Sequence, residues 1–236
     1  MDDETFNDPK IANAWIRTVE SDSSGIREQA GDVYPRLRAW IQKNNPRNIL
    51  ELGSGQGICS SKIDLENRTY TGLEGSILLV DRARELYIDS KRTFLQGDVY
   101  QLPFREAEFD AVFSIAVWHL LSDLDRASRE LERVLRPGGS FLIITANPAA
   151  YFVWTERYQN PQIKGKRFQG VTRNLDGTEE TDILYLHTLE EIQTSLKKFG
   201  LLSKSLESFR INEKSRGEGL LLSISGSKSI TGSTES

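Results

Sequence analysis

The sequence NILELGSGQG, residues 48–57, joins a short apolar run to a loop that contains three glycines. Apolar residues followed directly by Gly53, Gly55 and Gly57 predict a buried strand that turns sharply toward a helix. A loop with so few side chains lets a ligand approach its backbone closely at the carboxyl end of the strand. Glu51 stands just before the turn, and its charge would repel a pyrophosphate but suit an ammonium group. The loop therefore predicts a ligand that is cationic at one end.

The glycine spacing separates this loop from a dinucleotide-binding fingerprint. That fingerprint reads GxGxxG, whereas the spacing here is GxGxG and Ile58 occupies the place of the third glycine. A nicotinamide-dependent oxidoreductase is an alternative hypothesis, and both Ile58 and Glu51 disfavour it.

Two further carboxylates follow the next predicted strands. Glu74 ends the strand TYTGLE, about 20 residues beyond the first glycine, where a carboxylate accepts hydrogen bonds from both hydroxyls of a ribose. Asp98 follows the third strand in QGDVYQLPF, where an acid can accept a hydrogen bond from an exocyclic amine such as that of adenine. Val99 would pack against the ring. Together these residues predict a site for a nucleoside with a cationic tail.

From residue 47 onward, short apolar runs alternate with segments of helical spacing, which indicates a parallel α/β sheet. The predicted strands are NILEL, TYTGLE, RTFLQGD, FDAVFSIAV and SFLIIT, with helices at ILLVDRARELYI and SDLDRASRELERV, the latter stopped by PGG. Near the end, Thr188 and Glu191 form a predicted capping box, and LSKSLESFRI and EGLLLSISGS predict two closing strands.

The regions outside the predicted sheet suggest a division of the chain. Residues 1–46 contain two amphipathic helices joined by ESDSSG, which predicts a mobile N-terminal helical lid with a hinge. Residues 47–226 form the predicted domain of the parallel α/β sheet, with a substrate-side insertion at about 150–182 whose polar residues indicate a long loop or small insertion. Residues 227–236 have little apolar content and predict a disordered tail.

Composition limits the class of protein. A hydrophobic fraction of 38% in 236 residues is enough for a core, and a formal charge of −4 argues against nucleic-acid or anionic-membrane partners. The first ten residues do not resemble a secretory signal, and no apolar run is long enough to span a bilayer. Cys59 is the single cysteine, which excludes an internal disulfide and a cysteine-rich zinc site. We expect a cytoplasmic protein without a metal, and the oligomeric state stays open.

Four motifs in this order, LELGSGQG, GLEGS, GDVYQLPF and LERVLRPGG, resemble those of the class I S-adenosylmethionine-dependent methyltransferases. The resemblance covers about residues 47–147, and LPF and LRPGG are similar to the small-molecule branch that includes quinone-biosynthesis methyltransferases. It implies an α/β, Rossmann-like, mostly parallel sheet of seven strands with an antiparallel last strand and helices on both faces. It also implies S-adenosyl-L-methionine as cofactor, S-adenosyl-L-homocysteine as product and a small-molecule methyl acceptor.

The resemblance implies roles for particular residues as well. Glu51 would lie near the methionine amino group, Glu74 on the ribose and Asp98 at the adenine. The full set of expected cofactor-binding residues is Glu51, Gly53, Ser54, Gly55, Glu74, Gly75, Asp98, Val99, Ser114 and Ile115.

The acceptor side of the site is less specific in the sequence. His119 follows the fourth predicted strand, where it is either a general base at neutral pH or a structural histidine. Tyr34, Trp118 and Tyr151 are candidates for lining the acceptor pocket, with the core as the alternative location.

A sulfonium is already a good leaving group, so the protein's main task would be to align the reacting atoms and exclude water. The sequence does not choose between oxygen, nitrogen and carbon as the methylated atom. A non-catalytic scaffold of the same fold is a further hypothesis, and the complete set of predicted cofactor residues argues against it.

Overall fold

The computed structural model describes residues 8–20, 26–156, 158–173, 177, 179–209 and 219–230. Within these ranges the chain forms a large sheet, a small sheet and flanking helices. The strands of the large sheet are β1 (Asn48–Leu52), β2 (Thr69–Glu74), β3 (Arg92–Gln96), β4 (Phe109–Ile115), β5 (Leu135–Ala146), β9 (Leu201–Phe209) and β10 (Leu221–Lys228). The small sheet contains β6 (Gln159–Lys164), β7 (Arg167–Arg173) and β8 (Glu179–Tyr185). The helices are α1 (Pro9–Glu20), α2 (Ile26–Asn44), α3 (Ile77–Tyr87), α4 (Leu124–Val134), α5 (Tyr151–Thr155) and α6 (Leu189–Lys198).

The large sheet has the strand order β3-β2-β1-β4-β5-β10-β9. The first five of these strands pair in parallel, whereas β10 pairs antiparallel with both β5 and β9. The predicted seven-stranded, mostly parallel sheet with an antiparallel last strand is therefore confirmed. Strands β1 and β2 have the bounds that the apolar runs predicted.

Helices cover both faces of the large sheet. On one face α4 and α6 bury their apolar stripes against the sheet, and on the other α2 and α3 do so. The predicted capping box starts α6, since Thr188 accepts from the Glu191 backbone and the Glu191 side chain accepts from the Thr188 backbone. The fully buried large side chains that fill the two interfaces include Tyr70, Phe94, Phe113, Trp118, Leu121 and Phe141.

The two N-terminal helices differ in how they meet the sheet. Helix α2 packs Leu37, Trp40 and Ile41 into the core, with the Trp40 ring edge-on to Phe113 at a centroid distance of 6.5 Å. It is thus one of the covering helices of the sheet. Helix α1 lies near α3, where Arg82 pairs with Glu20 at 2.8 Å. The predicted hinge at 20–25 falls mainly on residues 21–25, which lie outside the described residues.

The segment after β5 was predicted as a long loop or small insertion, and it contains regular strands. Strands β6, β7 and β8 form an antiparallel three-stranded sheet there. Its strands carry few apolar residues, and only Phe168 and Leu184 are deeply buried among its described side chains. Since every residue of β6 is exposed, its sequence has none of the apolar alternation that identifies a half-buried strand.

Two predicted boundaries are also corrected. Strand β5 begins at Leu135, which pairs with Phe109 of β4, so the residues RPGG lie within β5 as an irregularity in the strand pairing. The sequence had predicted that PGG only ends α4. The disordered tail predicted from residue 227 is wrong at its start, because β10 runs to Lys228. The end of that tail, residues 231–236, lies outside the described residues. No helix in the described ranges has the length and apolar character needed to cross a bilayer.

Candidate active site

The glycine loop lies where the strand order of the large sheet reverses. Strand β1 is flanked by β2 on one side and β4 on the other, so the carboxyl ends of all three meet at one edge. The backbone amides of Gly53 and Ser54 both donate to the Leu73 carbonyl, at 2.8 and 3.0 Å, which folds the loop against β2. Such a reversal point is where open α/β sheets bind ligands.

Two glycines of the loop have different physical reasons to be glycine. Gly53 has φ +70°, and a β-carbon there would lie 2.2 Å from Val117 Cγ2. Gly55 also has a positive φ, +52°, but a β-carbon there would meet no heavy atom within 4 Å. Packing therefore explains Gly53, whereas Gly55 leaves bare backbone facing open space, as a closely approaching ligand requires.

A cavity of about 180 Å³ lies beside this loop. Strand ends form its floor, and α1 and α2 close it from outside. The residues that line it are Trp15, Val19, Val33, Tyr34, Glu51, Gly53, Ser54, Gly55, Gln56, Ile58, Cys59, Ile115, Ala116, Ile144 and Leu221. Its walls are mainly apolar, and no lysine, arginine or histidine is among these described lining residues.

Glu51 is the acidic residue of the cavity and is only 2% exposed. Its carboxylate accepts hydrogen bonds from the Tyr70 hydroxyl and the Cys59 thiol. Burial raises the pKa of Glu51 to about 8, against the opposing effect of these two hydrogen bonds, and the nearby Glu74 adds to the rise. Burial also raises the pKa of Tyr70 and Cys59, so both partners stay neutral donors at neutral pH. A cationic ligand would give this carboxylate the counter-charge that its hydrogen-bond partners do not supply.

Glu74 lies at the end of β2, beside the glycine loop. Its two carboxylate oxygens accept from the backbone amides of Gly55 at 2.9 Å and Ser76 at 3.0 Å. Burial raises the pKa of Glu74, while these backbone hydrogen bonds act in the opposite direction. The hydrogen bonds fix the carboxylate at the loop, and each oxygen keeps a lone pair for a ligand hydroxyl.

The other expected cofactor residues are distributed around the same sheet edge. Asp98 is exposed after β3 and accepts from the Tyr100 amide at 3.0 Å, whereas Val99 is buried in the core. Ser114 is buried on β4, and Ile115 is next to it on the cavity wall. Gly75 directly follows Glu74. Five of the expected cofactor residues do not line the 180 Å³ cavity itself: Glu74, Gly75, Asp98, Val99 and Ser114.

His119 does not line the cavity either. Its Nδ1 lies 3.0 Å from the Thr145 hydroxyl on β5, and burial lowers the pKa of His119 to about 4. A histidine with so low a pKa is neutral at pH 7 but is a weak proton acceptor. The structure thus favours a structural role, and the assignment as a general base stays a prediction.

The three aromatic candidates have different locations. Tyr34 lines the cavity. Trp118 is 1% exposed and packs in the core, so the structure does not bring it to the cavity wall. Tyr151 is half-buried on α5, where its hydroxyl donates to the Tyr185 carbonyl at 3.5 Å and burial raises its pKa.

Several site residues were missing from the sequence-based set. Tyr70 and Cys59 form the hydrogen-bonded group with Glu51, and Gln56 lines the cavity with a buried amide. Ala116 has φ +60° on the cavity wall, an unfavourable conformation for a residue with a β-carbon. The position of Tyr70 in β2 is the feature that could have indicated its role. Once the parallel register of β1 and β2 is known, Tyr70 is a diagonal neighbour of Glu51. In the part of the chain that the structure describes, no cluster of acidic, histidine and cysteine residues suits a metal ion.

Comparisons with known proteins identify the family of this chain. A family profile described as "Methyltransferase domain" matches residues 50–143, which run from within β1 through the glycine loop to most of β5. The chain is 30% identical over 203 residues to the fatty-acid O-methyltransferase of Mycolicibacterium smegmatis, covering 81% of this chain and 73% of that protein. It is 28% identical over 186 residues to the malonyl-[acyl-carrier protein] O-methyltransferase of Serratia marcescens, covering 79% of this chain and 71% of that protein.

A solved structure shows the same fold. The S-adenosylmethionine-dependent methyltransferase of Mesorhizobium loti superposes with a TM-score of 0.58 at 20% identity, covering 78% of this chain and 91% of that chain. At this identity the likeness concerns the fold. Taken with the two sequence relatives and the family profile, it shows that this chain belongs to the class I S-adenosylmethionine-dependent methyltransferases.

Proposed function

We propose that this enzyme binds S-adenosyl-L-methionine at the glycine loop and transfers the methyl group to an oxygen of a small-molecule acceptor, with carboxylic acids as the preferred class. One observation carries the cofactor part of the proposal. Glu51 is a buried carboxylate on an otherwise apolar cavity, and no basic side chain is among the described residues that line it. Ionising a carboxyl in such a place is costly unless a cation pairs with it, as its pKa of about 8 reflects, and the cofactor's amino-acid portion carries an ammonium.

The residues present fit the cofactor. Glu51 would hold the ammonium, the bare backbone at Gly55 would admit the methionine portion, and Glu74 would accept the ribose hydroxyls. We assign Asp98 and Val99 to the adenine because they follow the adjacent strand β3 at the same sheet edge.

When bound, the cofactor supplies a methyl group on a sulfonium, which needs no further activation as a leaving group. The contribution of the chain is to hold the acceptor in line and keep water out. Trp15 and Val19 of α1 form part of the cavity wall, so we propose α1 as the lid. Helix α2 is packed into the core and belongs with the sheet instead.

The acceptor class follows from the chemistry of the cavity wall and from the relatives. A carboxylic acid is already ionised at neutral pH, so it needs no general base, and the described cavity residues offer none besides acidic Glu51. The apolar side chains of Val33, Ile144 and Leu221 suit the hydrocarbon part of such an acid. The two relatives described above are named as a fatty-acid O-methyltransferase and a malonyl-[acyl-carrier protein] O-methyltransferase.

The acceptor proposal is tested with three compounds that share one hydrocarbon chain and differ in their end group. The purified enzyme is incubated with S-adenosyl-L-methionine labelled in the methyl group and dodecanoic acid, dodecanol or dodecylamine. We expect label in the acid sample only, in a methyl ester that alkali hydrolyses. Transfer to the amine or the alcohol, but not to the acid, would refute the carboxylic acid class.

Cofactor binding is tested separately by titration calorimetry with S-adenosyl-L-homocysteine. The matched control for Glu51→Gln is Glu66→Gln, because Glu66 is an exposed carboxylate away from the cavity. We expect binding to wild type and to Glu66→Gln, and much weaker binding to Glu51→Gln. Wild type that binds neither the methylated nor the demethylated cofactor would defeat the proposal and leave a scaffold role.

A further inference from the structure

Gln56 lines the cavity, and its buried side-chain amide has a hydrogen bond at only one of its two polar atoms. Its side chain is 3% exposed, and its Nε2 donates to the Ile16 carbonyl of α1 at 3.4 Å. This hydrogen bond sets the orientation of the amide, since the atom facing a carbonyl oxygen must be the donor nitrogen. The Oε1 atom is buried, and no described residue donates a hydrogen bond to it. A buried acceptor without a donor is unfavourable by itself, so this atom points to a missing donor.

The residues of the cavity suggest that the missing donor to Gln56 Oε1 is an ammonium. Gln56 and Glu51 line the same cavity, and each side chain carries oxygen atoms that accept hydrogen bonds. An ammonium has three N–H donors. One carboxylate in this position does not accept hydrogen bonds from all three. A second acceptor on the same cavity would complete the coordination, and a neutral amide does so without adding another buried negative charge.

We propose that Gln56 is a positioning residue with two functions: its Oε1 accepts an N–H of the cofactor's ammonium, and its Nε2 holds α1 over the cavity. The inference rests on the proposed cofactor site and adds a residue and a coupling to it. Ile16 lies between Trp15 and Val19, the two α1 residues on the cavity wall, so the amide joins the ammonium to the helix that covers it. Occupancy of the cavity should therefore make α1 more firmly closed.

The test compares two ligands that differ in one group, S-adenosyl-L-homocysteine and its deaminated analogue, in which hydrogen replaces the amino group. Affinities are measured by calorimetry for wild type, Gln56→Met and Gln42→Met. The last is the matched control, because Gln42 is exposed on α2. We expect Gln56→Met to reduce the preference for the aminated ligand by about tenfold, as the loss of one hydrogen bond to a charged group predicts. Gln42→Met should leave the preference unchanged.

Each result bears on the inference in a distinct way. Equal weakening of both ligands in Gln56→Met, or no weakening, would overturn the role in ammonium recognition. If wild type binds neither ligand, the cofactor site itself is wrong and the inference falls with it. Gln56→Glu keeps the acceptor oxygen, so it should retain the preference for the aminated ligand, and loss of that preference would overturn the inference even if Gln56→Met does not fold.

The contact with α1 has its own readout. In wild type we expect S-adenosyl-L-homocysteine to slow amide hydrogen exchange in residues 9–20. Gln56→Met has no donor for the Ile16 carbonyl, so the slowing should shrink severalfold at equal ligand saturation. Full protection of α1 in the ligand-bound variant would contradict the proposed hold on this helix.

Discussion

Binding of the cofactor product should strengthen as the pH rises, because Glu51 must lose a proton to pair with an ammonium. Its pKa of about 8 in the ligand-free protein leaves about 1% of the carboxyl ionised at pH 6 and about 9% at pH 7. Tyr70 and Cys59 have raised pKa values and stay protonated over this range. The ligand's amino group also remains mainly protonated. We therefore expect the affinity for S-adenosyl-L-homocysteine to increase about ninefold from pH 6 to pH 7.

The assay is titration calorimetry at the two pH values and constant ionic strength, in pairs of buffers with different ionisation enthalpies. The dependence of the observed enthalpy on the buffer gives the number of protons released, which should be about 0.9 per ligand at pH 7. Glu51→Gln is the control, since it should bind more weakly and without dependence on pH in this range. Wild-type binding that is independent of pH and releases no proton would refute the assignment of Glu51 as the partner of the ammonium.

Three further predictions concern stability and are measured by denaturant unfolding. Gly53→Ala should destabilise the fold by about 2–4 kcal/mol, because the new β-carbon clashes with Val117 and φ is positive. In Gly55→Ala the β-carbon meets open space, so the loss should be only about 1–2 kcal/mol of conformational strain, and equal losses in the two variants would contradict the packing argument. Burial lowers the pKa of His119, so the unfolded chain takes up its proton more readily and the free energy of unfolding falls as the pH drops from 6.5 toward 4. His119→Gln should remove about 2 kcal/mol of the stability loss between pH 7 and pH 5, and an unchanged pH profile would exclude His119 as its cause. Thr188→Ala removes half of the α6 capping box and should cost about 1 kcal/mol, with Thr188→Ser restoring most of it; no loss in the alanine variant would mean that the cap is unimportant.

The sequence was sufficient to predict most of the large sheet. The segments NILEL and TYTGLE gave β1 and β2 with their observed bounds, and the nearly continuous apolar run of β4 is what a strand buried on both faces needs. The small sheet was missed for the opposite reason. Strand β6 is exposed along its whole length and contains Pro161, which is tolerated on an edge strand but resembles a loop in the sequence.

The candidate site shows the same division between local and tertiary information. Glu51 and the glycine loop are consecutive in the sequence, so their chemistry was visible as a motif. The partners of Glu51 were not, since Tyr70 reaches it only through the parallel pairing of β1 with β2. The placement of His119 also depended on packing, because only the fold shows that it faces Thr145 instead of the cavity.

The direction of β10 has a practical consequence for handling the enzyme. Leu221 pairs with Ala146 at the carboxyl end of β5, and Ser227 pairs with Ser140 in the middle of that strand, so β10 leads away from the cavity edge. A fluorophore or affinity label attached after Ile230 would thus extend from the opposite end of the sheet. A label fused ahead of Pro9 would be attached to the helix that covers the cavity. Surface immobilisation through the carboxyl-terminal side should accordingly leave ligand entry free, which makes it the better orientation for biosensor measurements.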